Sequence, residues 1–422
     1  MKENKVNFVL KGVLKKISPD EELKDIEKIL KVFTEKIENR IKKLKLNAEV
    51  FVGGSFAKKT MIKKEEHDID IFLRFDGKHK NISELTEKIL KGIKKRKIHG
   101  SRDYFEIKTS KNLLFEIIPV LKIKKPKDAE NVTDLSYLHV GYIRRKIKSE
   151  KMLNEIKIAK SFCYSNGFYG AESYIKGFSG YALELLVYNY GSFMKFIKEM
   201  QKSKDKIIID LERHFKNKQD VLMNINEAKL KSPIILIDPT YKQRNALAAL
   251  SYETFEKFKK TCGKFIKNPS IKFFEERKWD LKKIKDNANK NKLEFISIEI
   301  KTDKQDGDIA GTKMLKFYNH LENEISRFFY IKDKGFDYGG GKTGKCFFSA
   351  KKKKETLHLG PMINDEKNVR AFKKVHKNTL VKSGRIYARE KINFKLREFL
   401  KSWEKKYREK VKEMGVVEMK IY

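Results

Sequence analysis

Hydrophobic and polar positions follow two different periods through the first 125 residues of the chain. Apolar residues recur near every 3.6 positions from Ser18 to Leu46, which predicts a helix with Ser18 as its N-cap. Alternation of apolar and polar residues predicts strands at 48–52, 67–75, 104–109 and 112–123. Between these strands we expect a short helix at 56–62 and a longer one at 83–98. This order is typical of an α/β domain with a small mixed sheet.

The pattern becomes mainly helical after Pro126. It predicts a long helix at 133–160, helices from 178 to 200 and on towards 215, and another helix at 246–265. A short apolar run at 233–238 predicts one strand, which Pro239 closes. We therefore expect a helical central domain.

A third pattern starts near Lys292. Residues 293–300 alternate as a strand, 314–329 have helical spacing, and 345–350 again predict a strand, an order that suggests a ferredoxin-like or RNA-recognition-like module. The basic run 351–354 is interpreted as a solvated hairpin tip, and 364–375 and 392–414 as basic helices. The glycine-rich segment 339–343 lacks the spacing of a phosphate-binding loop and is expected to be a hairpin.

Together these patterns predict a multidomain α+β protein. A chain of 422 residues is too long for one compact core. We expect an N-terminal α/β domain at 1–138, a helical central domain at 139–270, and a C-terminal ferredoxin-like module with a helical tail at 271–422.

The composition points to a polyanionic partner. The formal net charge is +40, with 97 Lys and Arg against 57 Asp and Glu, and nucleic acid is the simplest match for such an excess. Two alternatives stay open: a membrane surface, and a lysine excess that reflects genome composition and is only a solvated surface.

Three features favour a reducing, cytoplasmic location without a membrane segment. The three cysteines, Cys163, Cys262 and Cys346, are far apart and form no CxxC pair, so neither a disulfide framework nor structural zinc is expected. The N-terminus has no apolar signal core, and no run approaches the ~18 to 20 apolar residues of a membrane span.

The candidate chemistry begins in the segment 53–72. A Gly53-Gly54-Ser55 turn, whose backbone amides and hydroxyl suit a triphosphate, is followed by Lys58. Asp68 and Asp70 come next, on one face of the predicted strand and ~7 Å apart, where they can bracket a divalent cation. The same Asp-x-Asp spacing also occurs in solvent-facing edge strands, so the spacing alone does not distinguish a metal site from an exposed strand.

Glu116 supplies a third carboxylate inside the apolar run 113–121. An acid in such a strand is costly to bury unless it is paired. One alternative is a side chain that simply points to solvent. The other is two-metal phosphoryl chemistry, in which three carboxylates on neighbouring strands hold ions ~3.5 to 4 Å apart.

The order Gly54-Ser55, Asp68-x-Asp70 and a later acid is similar to the signature of the DNA polymerase β-like nucleotidyltransferase superfamily. Segments further along the chain narrow the resemblance to the archaeal (class I) CCA-adding enzymes. They are the segments 166–172, 176–181, 184–186 and 190–193, and Asp238-Pro239 followed by Arg244-Asn245-Ala246. The resemblance extends from the N-terminal helix to about Pro269.

The resemblance implies a role for individual residues. Metal ligation and catalysis fall to Asp68, Asp70 and Glu116. Nucleotide contacts fall to Gly54, Ser55, Lys58, His139, Lys160 and Tyr169, and Arg244 corresponds to an arginine that reads the incoming base. This chain departs from the family at two positions, since the third carboxylate there is usually aspartate and residue 58 is commonly arginine.

The function expected from the resemblance is template-independent addition of C, C and A to the 3′ end of tRNA. The substrates would be CTP and ATP, the cofactor two Mg²⁺ ions, and the partner the acceptor stem, 3′ end and T-arm of tRNA. Two alternatives are kept: a poly(A)-type or oligoadenylate-type polymerase on the same fold, and an inactive RNA-binding homologue. The oligomeric state, including a homodimer, stays open.

Overall fold

The computed structural model describes residues 2–77, 81–100, 102–110, 112–276 and 279–422. The chain divides into two compact units, Met1–Arg277 and Lys278–Tyr422. Within the described ranges, no helix has both the length and the apolar character needed to cross a membrane.

The first unit combines helices with two separate sheets. Its helices are α1 (Lys2–Ile17), α2 (Asp20–Lys43), α3 (Gly54–Ala57), α4 (Ile82–Ile89), α5 (Ser136–Lys146), α6 (Glu150–Ser165), α7 (Gly180–Tyr190), α8 (Phe193–Lys202), α9 (Lys218–Asn224) and α10 (Tyr252–Lys267). Its strands are β1 (Ala48–Val52), β2 (His67–Phe75), β3 (Arg96–Ile98), β4 (Tyr104–Ser110), β5 (Leu113–Leu121), β6 (Ile207–Asp210), β7 (Ile234–Asp238) and β8 (Tyr241–Asn245).

The N-terminal sheet is mixed, as the order of helices and strands predicted. Its strand order is β1-β2-β5-β4-β3. Strands β2 and β5 are parallel, and the other neighbouring pairs are antiparallel. Ile69, Ile71 and Leu73 are fully buried in the core shared with α2 and α4. Because side chains alternate along a strand, residues 68 and 70 lie on the opposite face.

Several predicted boundaries in this region were wrong. The helix from Ser18 is present, but its N-cap is Pro19 and no side chain caps it. The predicted helix 83–98 ends at Ile89, Gly92 takes a left-handed φ of +75°, and 96–98 pairs with β4 as an extra strand. Helix α1 was missed, although Leu10, Val13 and Ile17 bury one of its faces.

The other corrections concern where helices start and stop. The short helix predicted at 56–62 is α3 (Gly54–Ala57). The predicted helix 133–160 is interrupted because the Ser149 side chain accepts a hydrogen bond from Met152 N and starts α6 as a new helix. The helix predicted from 246 begins at Tyr252, capped by Ser251, after residues 241–245 have formed a strand.

The helical part of the first unit has an aromatic core. Phe162, Phe193, Phe258 and Phe265 are fully buried among α6, α8 and α10. The fully buried strand β7 lies between β6 and β8 in a three-stranded sheet, and the strand predicted at 233–238 is confirmed.

The second unit contains a four-stranded antiparallel sheet and a smaller three-stranded one. Its helices are α11 (Leu281–Lys290), α12 (Asp308–Phe328), α13 (Glu366–Val375), α14 (Leu396–Lys406) and α15 (Arg408–Glu413). Its strands are β9 (Glu294–Lys301), β10 (Phe329–Tyr338), β11 (Thr343–Lys352), β12 (Glu355–Met362), β13 (Thr379–Lys382), β14 (Arg385–Lys391) and β15 (Glu418–Ile421).

The larger sheet confirms the ferredoxin-like prediction. Its order is β10-β11-β9-β15, which is the split β-α-β-β-α-β arrangement with the sheet β12-β14-β13 inserted before α14. The segment 339–343 includes the β10–β11 turn, as expected for a hairpin. The run 351–354 is not a hairpin tip, because Lys351 and Lys352 end β11 and the next two residues lead to β12 in the other sheet. Lys353 Nζ donates to carbonyls at the end of α12.

Candidate active site

Three carboxylates meet on the face of the N-terminal sheet opposite its core. Asp68 and Asp70 alternate along β2 with buried isoleucines. The parallel β2–β5 register sets Asp70 directly opposite Glu116. The Asp68 side chain is 44% exposed, so solvent reaches this end of the acidic row. The structure thus brings together the three residues predicted to act in catalysis.

Burial and the charges of neighbouring acids raise the proton affinity of all three carboxylates. Burial raises the pKa of Glu116 to about 8, and the charges of Asp70 and Asp68 add to the effect. Burial also raises the pKa of Asp70, where Lys58 opposes the shift, and that of Asp68, where Lys64 opposes it. A divalent cation would relieve this repulsion, and carboxylate oxygens are ligands that Mg²⁺ prefers. The donor set therefore fits such an ion.

The carboxylates do not form a finished metal cage. Within the described part of the chain, no three acidic, histidine or cysteine side chains are gathered tightly enough to hold an ion by themselves. In phosphoryl-transfer sites Mg²⁺ usually takes only one or two protein carboxylates and completes its shell with waters and substrate phosphates. The observed arrangement agrees with a site that its substrate completes.

The glycine turn between β1 and α3 is pressed against Asp70. Gly53 N donates to the Asp70 carbonyl at 2.9 Å. Gly54 has a left-handed φ of +59°, and a Cβ built on it would lie 1.7 Å from Asp70 Oδ2. Only glycine combines this backbone conformation with this close approach. Gly54 therefore provides the space that the Asp70 carboxylate occupies.

A buried cluster of basic and polar groups faces the carboxylates. Lys58 Nζ lies 2.8 Å from Glu184 Oε2, and Lys160 Nζ lies 2.7 Å from Glu184 Oε1. Thr60 Oγ1 donates to Glu184 Oε1 at 2.6 Å and accepts from Lys160 Nζ at 2.7 Å. These four side chains connect the segment after α3 to helices α6 and α7.

The cluster carries one positive charge in excess. Burial favours neutral Glu184, but the charges of Lys160 and Lys58 outweigh it and lower the pKa to about 2. Burial lowers the pKa of Lys160 to about 8, against the opposing effect of Glu184. Two ammonium groups therefore share one carboxylate, a favourable setting for an anionic ligand.

The carboxylates and the basic cluster line one cavity of about 360 Å³. Its lining includes seven of the predicted site residues: Ser55, Lys58, Asp68, Asp70, Glu116, Lys160 and Tyr169. Glu172 and Lys64 also line it and had not been predicted. Lys64 Nζ lies 3.7 Å from Asp68 Oδ2 and 5.8 Å from the ring centroid of Tyr169.

His139 and Arg244 belong to a second cluster, around Asp238. His139 Nε2 and Arg244 Nη1 lie 2.9 and 2.7 Å from Asp238 Oδ2, and Tyr181 Oη donates to Oδ1 at 3.1 Å. Burial lowers the pKa of His139, although Asp238 opposes the shift. The Tyr181 ring links the clusters, because it stacks on His139 and lies 5.7 Å from Lys58 Nζ.

Two acids in these clusters had been assigned no role. Glu184 is fully buried within the apolar helix α7, and Asp238 ends the fully buried strand β7. The presence of an acid in an apolar run is the signal that had identified Glu116. The same criterion, applied to the whole chain, would have identified Glu184 and Asp238. Their partners lie up to 126 residues away, beyond the reach of local patterns.

The fold and the acidic site define a nucleotidyltransferase of the polymerase β-like class, and sequence comparison agrees. The family model described as "Nucleotidyltransferase domain" matches residues 34–139. A second, "tRNA nucleotidyltransferase, second domain", matches residues 154–275. A crystal structure of the Cid1 poly(U) polymerase superposes with a TM-score of 0.50 at 11% identity, over 64% of this chain and 99% of that one. This likeness concerns the fold alone.

Curated relatives define the family further. The "CCA-adding enzyme" of Nanoarchaeum equitans is 36% identical over 351 residues, which are 80% of this chain and 83% of the relative. The "CCA-adding enzyme" of Methanocaldococcus jannaschii is 28% identical over 410 residues, 91% and 87% of the two chains. The chain belongs to the CCA-adding enzyme family. It is an enzyme of nucleotidyl transfer, a reaction that this fold performs with nucleoside triphosphates and divalent metal.

Proposed function

We propose that the protein adds C, C and A to the 3′ end of tRNA without a template, taking the nucleotides from CTP and ATP. The 3′-hydroxyl of a tRNA that lacks its terminus attacks the α-phosphate of CTP twice and of ATP once, and pyrophosphate leaves each time. The observation that carries the proposal is the row of Asp68, Asp70 and Glu116 across a cavity from the Lys58–Lys160 pair, in a chain of this family.

In this proposal the acidic residues hold the cofactor. Asp68, Asp70 and Glu116 would bind two Mg²⁺ ions, and the spacing of Asp70 and Glu116 on adjacent strands supports a shared site. Such ions supply a Lewis acid that lowers the pKa of an attacking hydroxyl and neutralises a leaving phosphate.

The remaining site residues bind and orient the nucleotide. Lys58 and Lys160 would neutralise the triphosphate, with the turn at Gly54 and Ser55 beside it and the Tyr169 hydroxyl available as a donor. The planar guanidinium of Arg244, held by Asp238, which also bonds to His139, would read the base.

The rest of the chain would hold the tRNA. We propose domains at 1–138, 139–270 and 271–422, of which the second and third carry tRNA contacts. The net charge of +40 supports binding of the acceptor stem and T-arm through phosphates and shape.

The test is an extension assay with a tRNA transcript that ends at the discriminator base. With Mg²⁺, CTP and ATP the product should grow by three nucleotides and stop. With CTP alone it should grow by two. Asp70→Asn should give no product while binding tRNA normally. Addition of A before C, or an unbounded tail, would refute the proposal.

A further inference from the structure

The Glu184 carboxylate makes more side-chain bonds than an ion pair that only stabilises the fold would need. Its side chain is fully buried, and both oxygens are used: one faces Lys58, and the other faces Lys160 and Thr60. Both lysines and the threonine line the candidate cavity. The carboxylate therefore lies behind the basic side of the cavity and bonds to the groups that form it.

The alternative, an ion pair that only stabilises the fold, has a clear example in the same unit. Asp134 is also fully buried and pairs with Arg102, but it accepts from the backbone nitrogens of 121, 130 and 131 as well. These bonds tie a loop to β5. Glu184, by contrast, bonds to side chains that line the cavity, and this difference separates a structural pair from a positioning one.

The charge balance of the cluster also favours a positioning role for Glu184. One carboxylate between two ammonium groups leaves a single positive charge, and a buried unpaired charge is costly. A ligand with several negative oxygens at the cavity would supply the missing charge. Glu184 favours the protonated form of Lys160 and holds both lysines in place before that ligand arrives, so that little reorganisation is needed on binding.

We propose that Glu184 is a positioning residue for the nucleotide triphosphate, which holds the ammonium groups of Lys58 and Lys160 at the cavity as a single phosphate-binding unit. This inference rests on the proposed function, because it assumes that the cavity takes a nucleoside triphosphate.

The protonation of Lys160 provides a readout that a structural role would not affect. The groups facing it are Glu184 from α7, Lys58, Thr60 and Lys64 from the segment after α3, and Tyr169 beside Gly180. Burial lowers the pKa of Lys160 to about 8, and Glu184 is the group that opposes this most. Without Glu184, Lys160 would lose its proton at a lower pH than in wild type, and phosphate binding would weaken from that lower pH upwards.

The experiment compares Glu184→Gln with wild type as the full chain. KM and kcat for CTP are measured with a tRNA lacking its CCA end between pH 6 and 9, below the melting midpoint of each protein. At pH 8 the KM of Glu184→Gln should rise about ten- to a hundredfold, the effect of losing one hydrogen bond to a charged group, with a smaller change in kcat. The difference in KM between the two proteins should narrow towards pH 6, where Lys160 regains its proton.

Asp134→Asn is the matched control. It should lower the melting midpoint and leave both KM and its pH dependence unchanged. If Glu184→Gln behaves in the same way, Glu184 is a structural ion-pair residue and the inference is wrong. Should Glu184→Gln fail to fold, Glu184→Asp decides, because its shorter side chain cannot reach all three partners. A raised KM in Glu184→Asp supports the inference, and a wild-type KM overturns it.

Binding of tripolyphosphate in the presence of Mg²⁺, measured by calorimetry without RNA, separates this inference from the proposed function. Wild type should bind it more tightly than Glu184→Gln at pH 8, and equal affinities would refute the role of Glu184. A wild-type chain that extends no tRNA would instead refute the proposed function, whatever the calorimetry shows.

Discussion

Replacing Gly54 by alanine would test the geometry of the catalytic turn. The added Cβ would lie 1.7 Å from Asp70 Oδ2 and 2.6 Å from its Cγ, so the turn or the carboxylate must move by more than ~1 Å to reach ordinary contact. The φ of +59° adds about 1–2 kcal/mol for any residue with a Cβ. Because a displacement of ~1 Å can cost about a hundredfold in rate, kcat should fall by at least that factor.

The assay is single-turnover addition of CMP to a tRNA lacking its CCA end, combined with urea unfolding. Gly92→Ala is the control, since Gly92 has a φ of +75° and open space within 4 Å of the position that a Cβ would take. Gly54→Ala should lose more unfolding free energy than Gly92→Ala, because it adds the clash with Asp70 to the cost of the left-handed backbone, and only Gly54→Ala should lose activity. A folded Gly54→Ala protein with the kcat of Gly92→Ala would show that the close approach to Asp70 has no catalytic importance.

Three further predictions concern other parts of the molecule. Burial favours neutral Asp238, but hydrogen bonds and the charges of His139 and Arg244 outweigh it and hold the pKa of Asp238 below its ordinary 3.8. The ionised Asp238 therefore stabilises the fold above about pH 4, and this stabilisation is lost as the pH falls further. The melting midpoint of Asp238→Asn should accordingly change less between pH 6 and pH 3 than that of wild type. Lys58→Arg should lower the KM for CTP in steady-state assays, because a guanidinium can bind phosphate through two parallel hydrogen bonds, and a higher KM would contradict this. Gly335→Ala should lose about 1–3 kcal/mol of unfolding free energy in urea, since its Cβ would lie 2.5 Å from the Phe347 ring, whereas Gly339→Ala, with open space around it, should not.

Four of the five strands of the catalytic sheet could be predicted, because apolar and polar residues alternate along them, whereas β3 had been predicted as part of a helix. Alternation of buried and more open positions from His67 to Ile71 places Asp68 and Asp70 on one face of β2. Glu116 was identified for a related reason, because an acid in an apolar strand needs a partner. Pairing of Glu116 with Asp70 follows from the parallel register, which no local pattern specifies.

Helix ends and the basic cluster could not be predicted in the same way. Whether Ser149 caps a new helix or stays inside a long one depends on packing that its neighbours in sequence do not determine. The partners of Glu184 come from positions 58, 60 and 160, and only the tertiary fold brings them together. The resemblance to a known family identified Lys58 and Lys160, but it did not reveal the carboxylate that holds them.

The two sides of the cavity make binding of a triphosphate conditional on a cation. On one side Asp68, Asp70 and Glu116 carry up to three negative charges, and burial together with the charges of neighbouring acids raises the pKa of each. On the other side Lys58 and Lys160, shared with one carboxylate, carry a net charge of only one positive unit. A free triphosphate would be attracted weakly by the second side and repelled by the first. The same nucleotide bound to divalent cations would complete the shell that the carboxylates leave open. The acidic row would therefore admit the cation-bound nucleotide, and the lysine pair would set how its phosphates are oriented.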